Sequence, residues 1–191
     1  MSKGDAMNIL KFLVQYMSKP RTTGAVLPSS KYLAKKMVKN MDFANANCIV
    51  EYGAGTGVFT GYLVDQKKPE TILIVFEKNP DFYQLLLQYY GNAENVHITN
   101  DSATEVGMHL KKYKQKKADY ILSGLPFASL PKNMSENILT KTKKHLSEKG
   151  ELILFQYTLI KMELLKKYFT EIKIEREWRN VPPAYVLRCK I

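Results

Sequence analysis

Two carboxylates and three glycines carry the chemistry that can be read from this chain. Glu51 follows a short apolar run, Cys48-Ile49-Val50, and Gly53, Gly55 and Gly57 come next at alternate positions, before an apolar helical pattern opens at Val58. A buried strand that turns through glycines into a helix gathers backbone N–H groups at one point. Glycine accepts positive φ, and the first N–H groups of a helix have no partner inside it. A second acid, Glu77, ends the next apolar run, Ile72-Leu73-Ile74-Val75-Phe76, 26 residues after Glu51. That separation suits one strand–helix–strand unit, and a carboxylate at the end of the second strand can accept both hydroxyls of a ribose. The expected ligand therefore carries a nucleoside.

These residues need a parallel sheet to hold them. Apolar runs predict strands over 47–52, 71–77, 96–99, 119–122, 151–158, 171–179 and 185–191. Helical periodicity falls between the first six: 58–67, 81–90 opened by Pro80, 104–113, 132–146 closed downstream by Gly150, and 161–169. Strands alternating with helices make a doubly wound α/β sheet. The last two strands are joined only by Val181-Pro182-Pro183-Ala184, so they pair antiparallel. Two further helices precede the sheet: 5–18, ended by Pro20, and one capped by Ser29 or Ser30 that runs to about Met41. The expected organisation is one domain over 1–191, with an N-terminal helical cap over 1–41 and a core over 47–191. The seventh strand is expected to leave no room for an appended C-terminal domain.

Ligands bind beyond the carboxyl ends of the strands in such sheets. Those ends supply Glu51 to Gly57, Glu77 and Lys78, Asn100-Asp101-Ser102, Ser123 to Phe127, and Gln156-Tyr157-Thr158.

Charge narrows the partner. The chain carries a net +11 with pI near 9.5, which suits an anionic partner, either nucleic acid or an acidic membrane surface. Residues 1–40 hold eight basic side chains (Lys3, Lys11, Lys19, Arg21, Lys31, Lys35, Lys36 and Lys39) against Asp5 alone. The helix over 5–18 has an apolar arc broader than a core stripe, and with lysines at its edges it suits a membrane interface or a packing face on the sheet edge. Cys48 and Cys189 sit in apolar runs and are expected as buried thiols. No stretch approaches the length of a membrane span, and no cleavable leader is evident, so the expectation is a cytoplasmic protein. His97, His109 and His145 show no metal spacing, and no metal is expected.

The pattern Glu51-x-Gly53-x-Gly55-x-Gly57, with Glu77 beyond it, resembles motif I of class I S-adenosylmethionine (AdoMet) methyltransferases. That resemblance implies strand order 3-2-1-4-5-7-6 with the seventh strand antiparallel. It also implies AdoMet as donor and S-adenosylhomocysteine as product. The Gly53–Gly57 turn, with Gly53, Gly55 and Gly57, would take the methionine end, Glu77 the ribose and Asp101 the adenine amino group with Ser102 beside it, while Glu51, Tyr52, Lys78 and Ser123 complete the expected cofactor-binding set. Glu51-x-Gly-x-Gly-Thr-Gly-Val-Phe-Thr, Ser123-Gly-Leu-Pro, Gln156-Tyr157-Thr158, Asn180-Val-Pro-Pro-Ala and Gly24-Ala25-x-x-Pro28-Ser29-Ser30 together are similar to the bacterial phospholipid N-methyltransferases. The resemblance runs from about residue 20 to the end. It implies methylation of phosphatidylethanolamine on its amine, at the inner face of the membrane.

That family is similar to the rRNA adenine dimethyltransferases, so ribosomal RNA is the alternative acceptor, and a small molecule a second. Adenine methylases carry Asn-Leu-Pro-Tyr after the fourth strand. This chain reads Gly124-Leu125-Pro126-Phe127, which keeps a ring and lacks the amide. A non-catalytic AdoMet-fold protein that only binds membrane is disfavoured by the intact glycines and acids. Aromatic rings can hold a methylated ammonium by cation–π contact. Tyr16, Phe127, Tyr157, Trp178 and Tyr185 are the aromatic candidates, with Tyr157, Tyr16 and Phe127 taken for the catalytic side, and Leu125, Pro126 and Arg179 for the substrate, Arg179 as a bidentate partner of the lipid phosphate.

Overall fold

The computed structural model describes residues 30–191. The expected helix over 5–18, and Tyr16 with it, lie outside these residues. Helix α1 (Lys31–Val38) opens on Ser30, whose Oγ accepts from the Leu33 N–H. It buries Leu33, Ala34, Met37 and Val38 and turns Lys31 and Lys35 outward, as its three-four spacing dictates. Strand β1 (Cys48–Tyr52) is buried at every position, the mark of a strand covered on both faces. There follow α2 (Val58–Gln66), β2 (Ile72–Phe76), α3 (Pro80–Tyr90), β3 (Val96–Thr99), α4 (Val106–Lys112), β4 (Ala118–Ser123), α5 (Lys132–His145), β5 (Leu146–Gln156), α6 (Met162–Lys166), β6 (Glu171–Glu177) and β7 (Ala184–Lys190).

The strands form one sheet in the order β3-β2-β1-β4-β5-β7-β6. The pairs from β3 to β5 are parallel, and β7 runs antiparallel to both β5 and β6. This is the order implied by the methyltransferase resemblance. Alternate strand residues feed two cores. Val50, Tyr52, Ile74 and Phe76 face α4 and α5, while Ile49, Leu73 and Val75 face α1, α2 and α3. Arg188 of β7 pins α1 to the sheet, donating to the Met37 carbonyl at 3.2 Å and to Glu151 at 2.8 Å. Burial pushes the Cys48 and Cys189 thiols up to about 12, so both are inert core groups.

Three elements differ from the periodicity. The helix predicted over 104–113 starts as a 3₁₀ turn (Ala103–Glu105) capped by Ser102, and becomes α4 only at Val106. The helix predicted over 161–169 is shorter, ending at Lys166. Gly150 does not close α5. That helix ends at His145, and β5 starts on the next residue, pairing Leu146 with Ala118. The polar stretch Ser147-Glu148-Lys149 hides this part of the strand. Gly150 lies inside it at a register shift, where a Cβ would stand 2.8 Å from the Asp119 carbonyl oxygen. Among the described residues no helix is long and apolar enough to cross a membrane.

One backbone junction joins the first and fourth strands at their ligand ends. The Gly124 N–H donates to the Tyr52 carbonyl at 2.8 Å, and a Cβ on Gly124 would lie 2.5 Å from the Gly53 carbonyl oxygen. Gly124→Ala should therefore destabilise the fold by about 1–3 kcal/mol through forced backbone displacement. Urea unfolding followed by far-UV circular dichroism measures this, and an unchanged midpoint would show that the junction can give way.

Candidate active site

The glycine turn is built by hydrogen bonds from the strands on either side. Gly53, Gly55 and Gly57 have φ of +66°, +56° and +81°. The Gly53 N–H donates to the Phe76 carbonyl at 2.8 Å, which anchors the turn to the end of β2. The Gly55 N–H donates to Glu77 Oε2 at 2.7 Å, and the Asn79 N–H donates to Glu77 Oε1 at 2.8 Å. Glu77 thus shapes the turn, a role that sequence reasoning missed when it assigned this acid to a ribose alone. Each carboxylate oxygen still keeps acceptor capacity for a hydroxyl. Burial pushes the Glu77 carboxyl up, against the pull of its backbone donors.

The three glycines are required for different reasons. A Cβ on Gly53 would strike Leu125 at 2.8 Å, and one on Gly57 would strike Leu86 and Tyr90 at 2.9 Å. A Cβ on Gly55 would meet nothing within 4 Å. The middle glycine therefore faces open space, and it is the place where a ligand can approach the backbone. Helix α2 starts on Gly57 with no side-chain cap, so its first N–H groups are available to the same space.

Below the turn, Glu51 is fully buried. Its Oε2 accepts from Thr60 Oγ1 at 2.8 Å, while Oε1 has no partner among the described residues. Burial pushes this carboxyl up to about 8. Beyond the end of β3, Asp101 Oδ2 receives both Thr99 Oγ1 and His109 Nε2 at 2.8 Å, which leaves Oδ1 for another donor and holds the carboxyl below its usual range. Asn100 donates through its side chain to the Glu77 carbonyl at 2.8 Å and ties the ends of β2 and β3 together.

The chain is similar to known proteins over most of its length. A family model, the methyltransferase small domain, matches residues 23–179. The chain belongs to this family. It is an AdoMet-dependent methyltransferase. It is 29% identical over 180 residues to the ornithine lipid N-methyltransferase of Singulisphaera acidiphila, covering 94% of each chain. It is 32% identical over 136 residues to ribosomal RNA small subunit methyltransferase A of a Hydrogenobaculum species, covering 69% of this chain and 48% of that one. Among solved structures, human methyltransferase-like protein 13 in complex with SAH superposes with a TM-score of 0.60 at 17% identity, over 84% of this chain and 79% of that chain.

The residues of this methyltransferase suit the donor. An orphaned buried acceptor lies under the turn, open space fronts Gly55, and an acid with spare acceptor capacity ends β2. Ser123 is buried, its Oγ accepting from the Leu125 N–H at 3.3 Å. Lys78 is exposed. The Tyr52 side chain contradicts its expected cofactor role. It is fully buried in the opposite core, edge-on to Phe76 and near Thr142, so only its carbonyl serves the site.

The acceptor side also differs from expectation. Tyr157 stands at the end of β5, half-buried, edge-on to Phe155. Burial pushes its phenol up, and the nearby Asn180 side chain opposes that shift. Phe127 is not at the mouth. It is 1% exposed and belongs to the core beside Leu154 and Leu187. Leu125 and Pro126 stay half-exposed in the loop after β4. Arg179 has spent its fork on Glu177, at 2.9 and 3.2 Å, and lies over the Tyr32 ring, so the expected bidentate pairing with phosphate is not available in this arrangement. Asn180, to which the sequence assigned no role, is buried and joins three segments. It accepts from the Ser30 N–H at 3.1 Å, donates to the Pro182 carbonyl at 2.7 Å and meets Tyr157. Gln156 ties the loop after β4 to β5, accepting from the Ala128 N–H and donating to the Leu125 carbonyl. Both stand in motifs that the sequence singled out, but these contacts were not visible there, because each acts across distant segments.

Two predictions follow from the buried groups. The folded protein holds the Glu51 proton more tightly than the unfolded chain does, so this group's contribution to stability is lost as pH rises toward about 8. Glu51→Gln should unfold at a higher temperature than the unmodified protein at alkaline pH, and the gap should close in acid. The same variant should lose about tenfold or more in AdoMet affinity by calorimetry, the scale of one charge-assisted hydrogen bond. The second concerns His109, which positions Asp101. His109→Phe should raise the KM for AdoMet about 3- to 10-fold, with kcat and the thermal midpoint preserved. His109→Gln, which keeps a donor, should recover most of the loss. A fall in stability and kcat together would mark a packing role only.

Proposed function

We propose that this methyltransferase moves methyl groups from AdoMet to the amine of a lipid head group, with phosphatidylethanolamine or an ornithine lipid as the carrier, at the inner face of a membrane. The observation that carries this reading is Gly124. Adenine methylases place a side-chain amide at this position, and here the backbone lies so close to the Gly53 carbonyl that no Cβ fits without displacement. The only ring in the loop, Phe127, is buried and offers no face to a base. The relative matched end to end acts on an ornithine lipid, whereas the ribosomal RNA relative is about twice as long as the matched region.

When bound, the donor supplies a methyl group on a positive sulfonium sulfur, already activated for in-line displacement. The chain's own task is to hold an amine with a free lone pair. Glu77 and the Gly53–Gly57 turn take the ribose and methionine portions, Glu51 the ammonium of the methionine, and Asp101 the adenine amino group. A lipid primary ammonium has a pKa near that of lysine, about 10, so it must shed a proton to solvent before attack. Tyr157 remains a neutral phenol because burial raises its pKa. Its oxygen can accept an N–H from the amine, and its ring can face the methylated cation. Asn180 fixes the orientation of that phenol.

The decisive assay offers labelled AdoMet and the purified protein three acceptors in parallel: phosphatidylethanolamine vesicles, ornithine-lipid vesicles and unmethylated small-subunit ribosomal RNA. Label should enter lipid, and the rate should rise about tenfold per pH unit below the amine pKa. Tyr157→Ala should cut kcat/KM for lipid by about 10- to 100-fold with the KM for AdoMet unchanged. Label in RNA adenines with none in either lipid would replace this reading by the ribosomal one.

A further inference from the structure

Beside the acceptor end of the site, two loops carry apolar side chains into solvent. Ile160 is 77% exposed, Val181 77% and Trp178 66%, with Leu159 at 37%. They lie at one edge of the sheet. Gln156 of β5 pairs with Tyr185 of β7, which pairs with Arg176 of β6. Adjacent strands are about 4.8 Å apart, so the chain leaves β5 and β6 about 10 Å apart and in the same direction. The start of α1 completes this edge through the Ser30–Asn180 bond. The indole does not hang loose: the Arg176 guanidinium lies 3.7 Å over its ring. Cations surround the apolar tips. Lys31, Lys161 and Arg176 lie among them, while Arg179 is paired with the buried Glu177.

We infer that this edge, formed by residues 159–161 and 176–182 with the start of α1, is a docking face for an anionic lipid bilayer, into which Ile160, Trp178 and Val181 insert. This deepens the proposed function and rests on it for its purpose: docking here brings lipid head groups to the end of β5, where Tyr157 stands. Exposed aliphatic tips gain by burial in hydrocarbon, indole settles at the head-group level, and the cationic rim meets anionic phosphates. Charge argues against the chain's own residues 1–29 as the cover, because they carry Lys3, Lys11, Lys19 and Arg21 against Asp5 and would set a basic segment on a basic rim. RNA is disfavoured because Leu159, Ile160 and Val181 offer neither a stacking face nor a hydrogen bond to a base.

Trp178 is the only tryptophan of the chain, so its fluorescence reports on this face alone. The test adds vesicles of phosphatidylcholine with phosphatidylglycerol to the full-length protein. The emission should shift to the blue and be quenched by brominated lipid chains, and binding should weaken as salt rises. The double substitution Ile160→Asp and Val181→Asp should weaken vesicle binding about tenfold or more. It should keep the thermal midpoint, AdoMet affinity and methyl transfer to a water-dispersed short-chain lipid amine. Three results would each overturn the inference. One is vesicle binding with no change at Trp178. Another is emission already blue and shielded from acrylamide before vesicles are added, which would place residues 1–29 on the face. The third is a response to RNA and none to vesicles. Docking is read without methyl transfer, so a protein that binds vesicles through Trp178 and methylates no lipid overturns the proposed function and not the docking face.

Discussion

The hydrogen bond from the Gly55 N–H to the Glu77 carboxylate is the constraint on which the rest of the site depends. The turn between β1 and α2 uses three residues at positive φ, a conformation that the unfolded chain has little reason to keep. It is held from three directions: by Glu77, by the Phe76 carbonyl at the end of β2, and by the Gly124 backbone at the end of β4. A parallel sheet makes this possible, because it delivers three strand ends to one place. The shape of the turn is therefore a property of the sheet and not of the glycines alone.

A second set of contacts organises the opposite half of the ligand edge. Asn180 and Gln156 are amides, each with donors and an acceptor, and both are buried. One joins α1, β5 and the β6–β7 hairpin, and the other joins the loop after β4 to β5. Buried amides must be paired to be tolerated, so these connections leave the segments little freedom to drift apart. Tyr157 follows Gln156 at the end of β5, and its phenol lies close to the Asn180 amide, so the same network reaches it.

Electrostatics divides the molecule. Its interior acids are few and specialised: Glu51 is pushed up by burial, whereas Glu177 is pulled down to about 2 by its hydrogen bonds to Arg179. Among the described residues the lysines lie on the surface or at its margin, where they can act on an anionic partner at a distance. Arg179 belongs to the structural account of the hairpin, since it neutralises Glu177 and lies over Tyr32.

Much of this was legible in the chain. Apolar runs ending in acids marked β1 and β2, glycine spacing marked the turn, and the Pro-Pro connection marked the antiparallel end, because each is a local pattern with a local cause. That combination carried the resemblance to class I methyltransferases, and the resemblance implied the strand order that the sheet has. Features made by distant segments were not legible. Gly150 looked like a helix stop and is a bulge against Asp119. Phe127 and Tyr52 looked like site residues, yet their rings fill the core, because which side a ring faces depends on the register of the sheet. Glu77 could be assigned to a ribose from spacing, but its hold on Gly55 required the folded distance. Asn180 stood in a motif of the resemblance and His109 in none, yet neither could be given a role, since a buried polar side chain acquires its role only from the groups that the tertiary structure brings within hydrogen-bond reach.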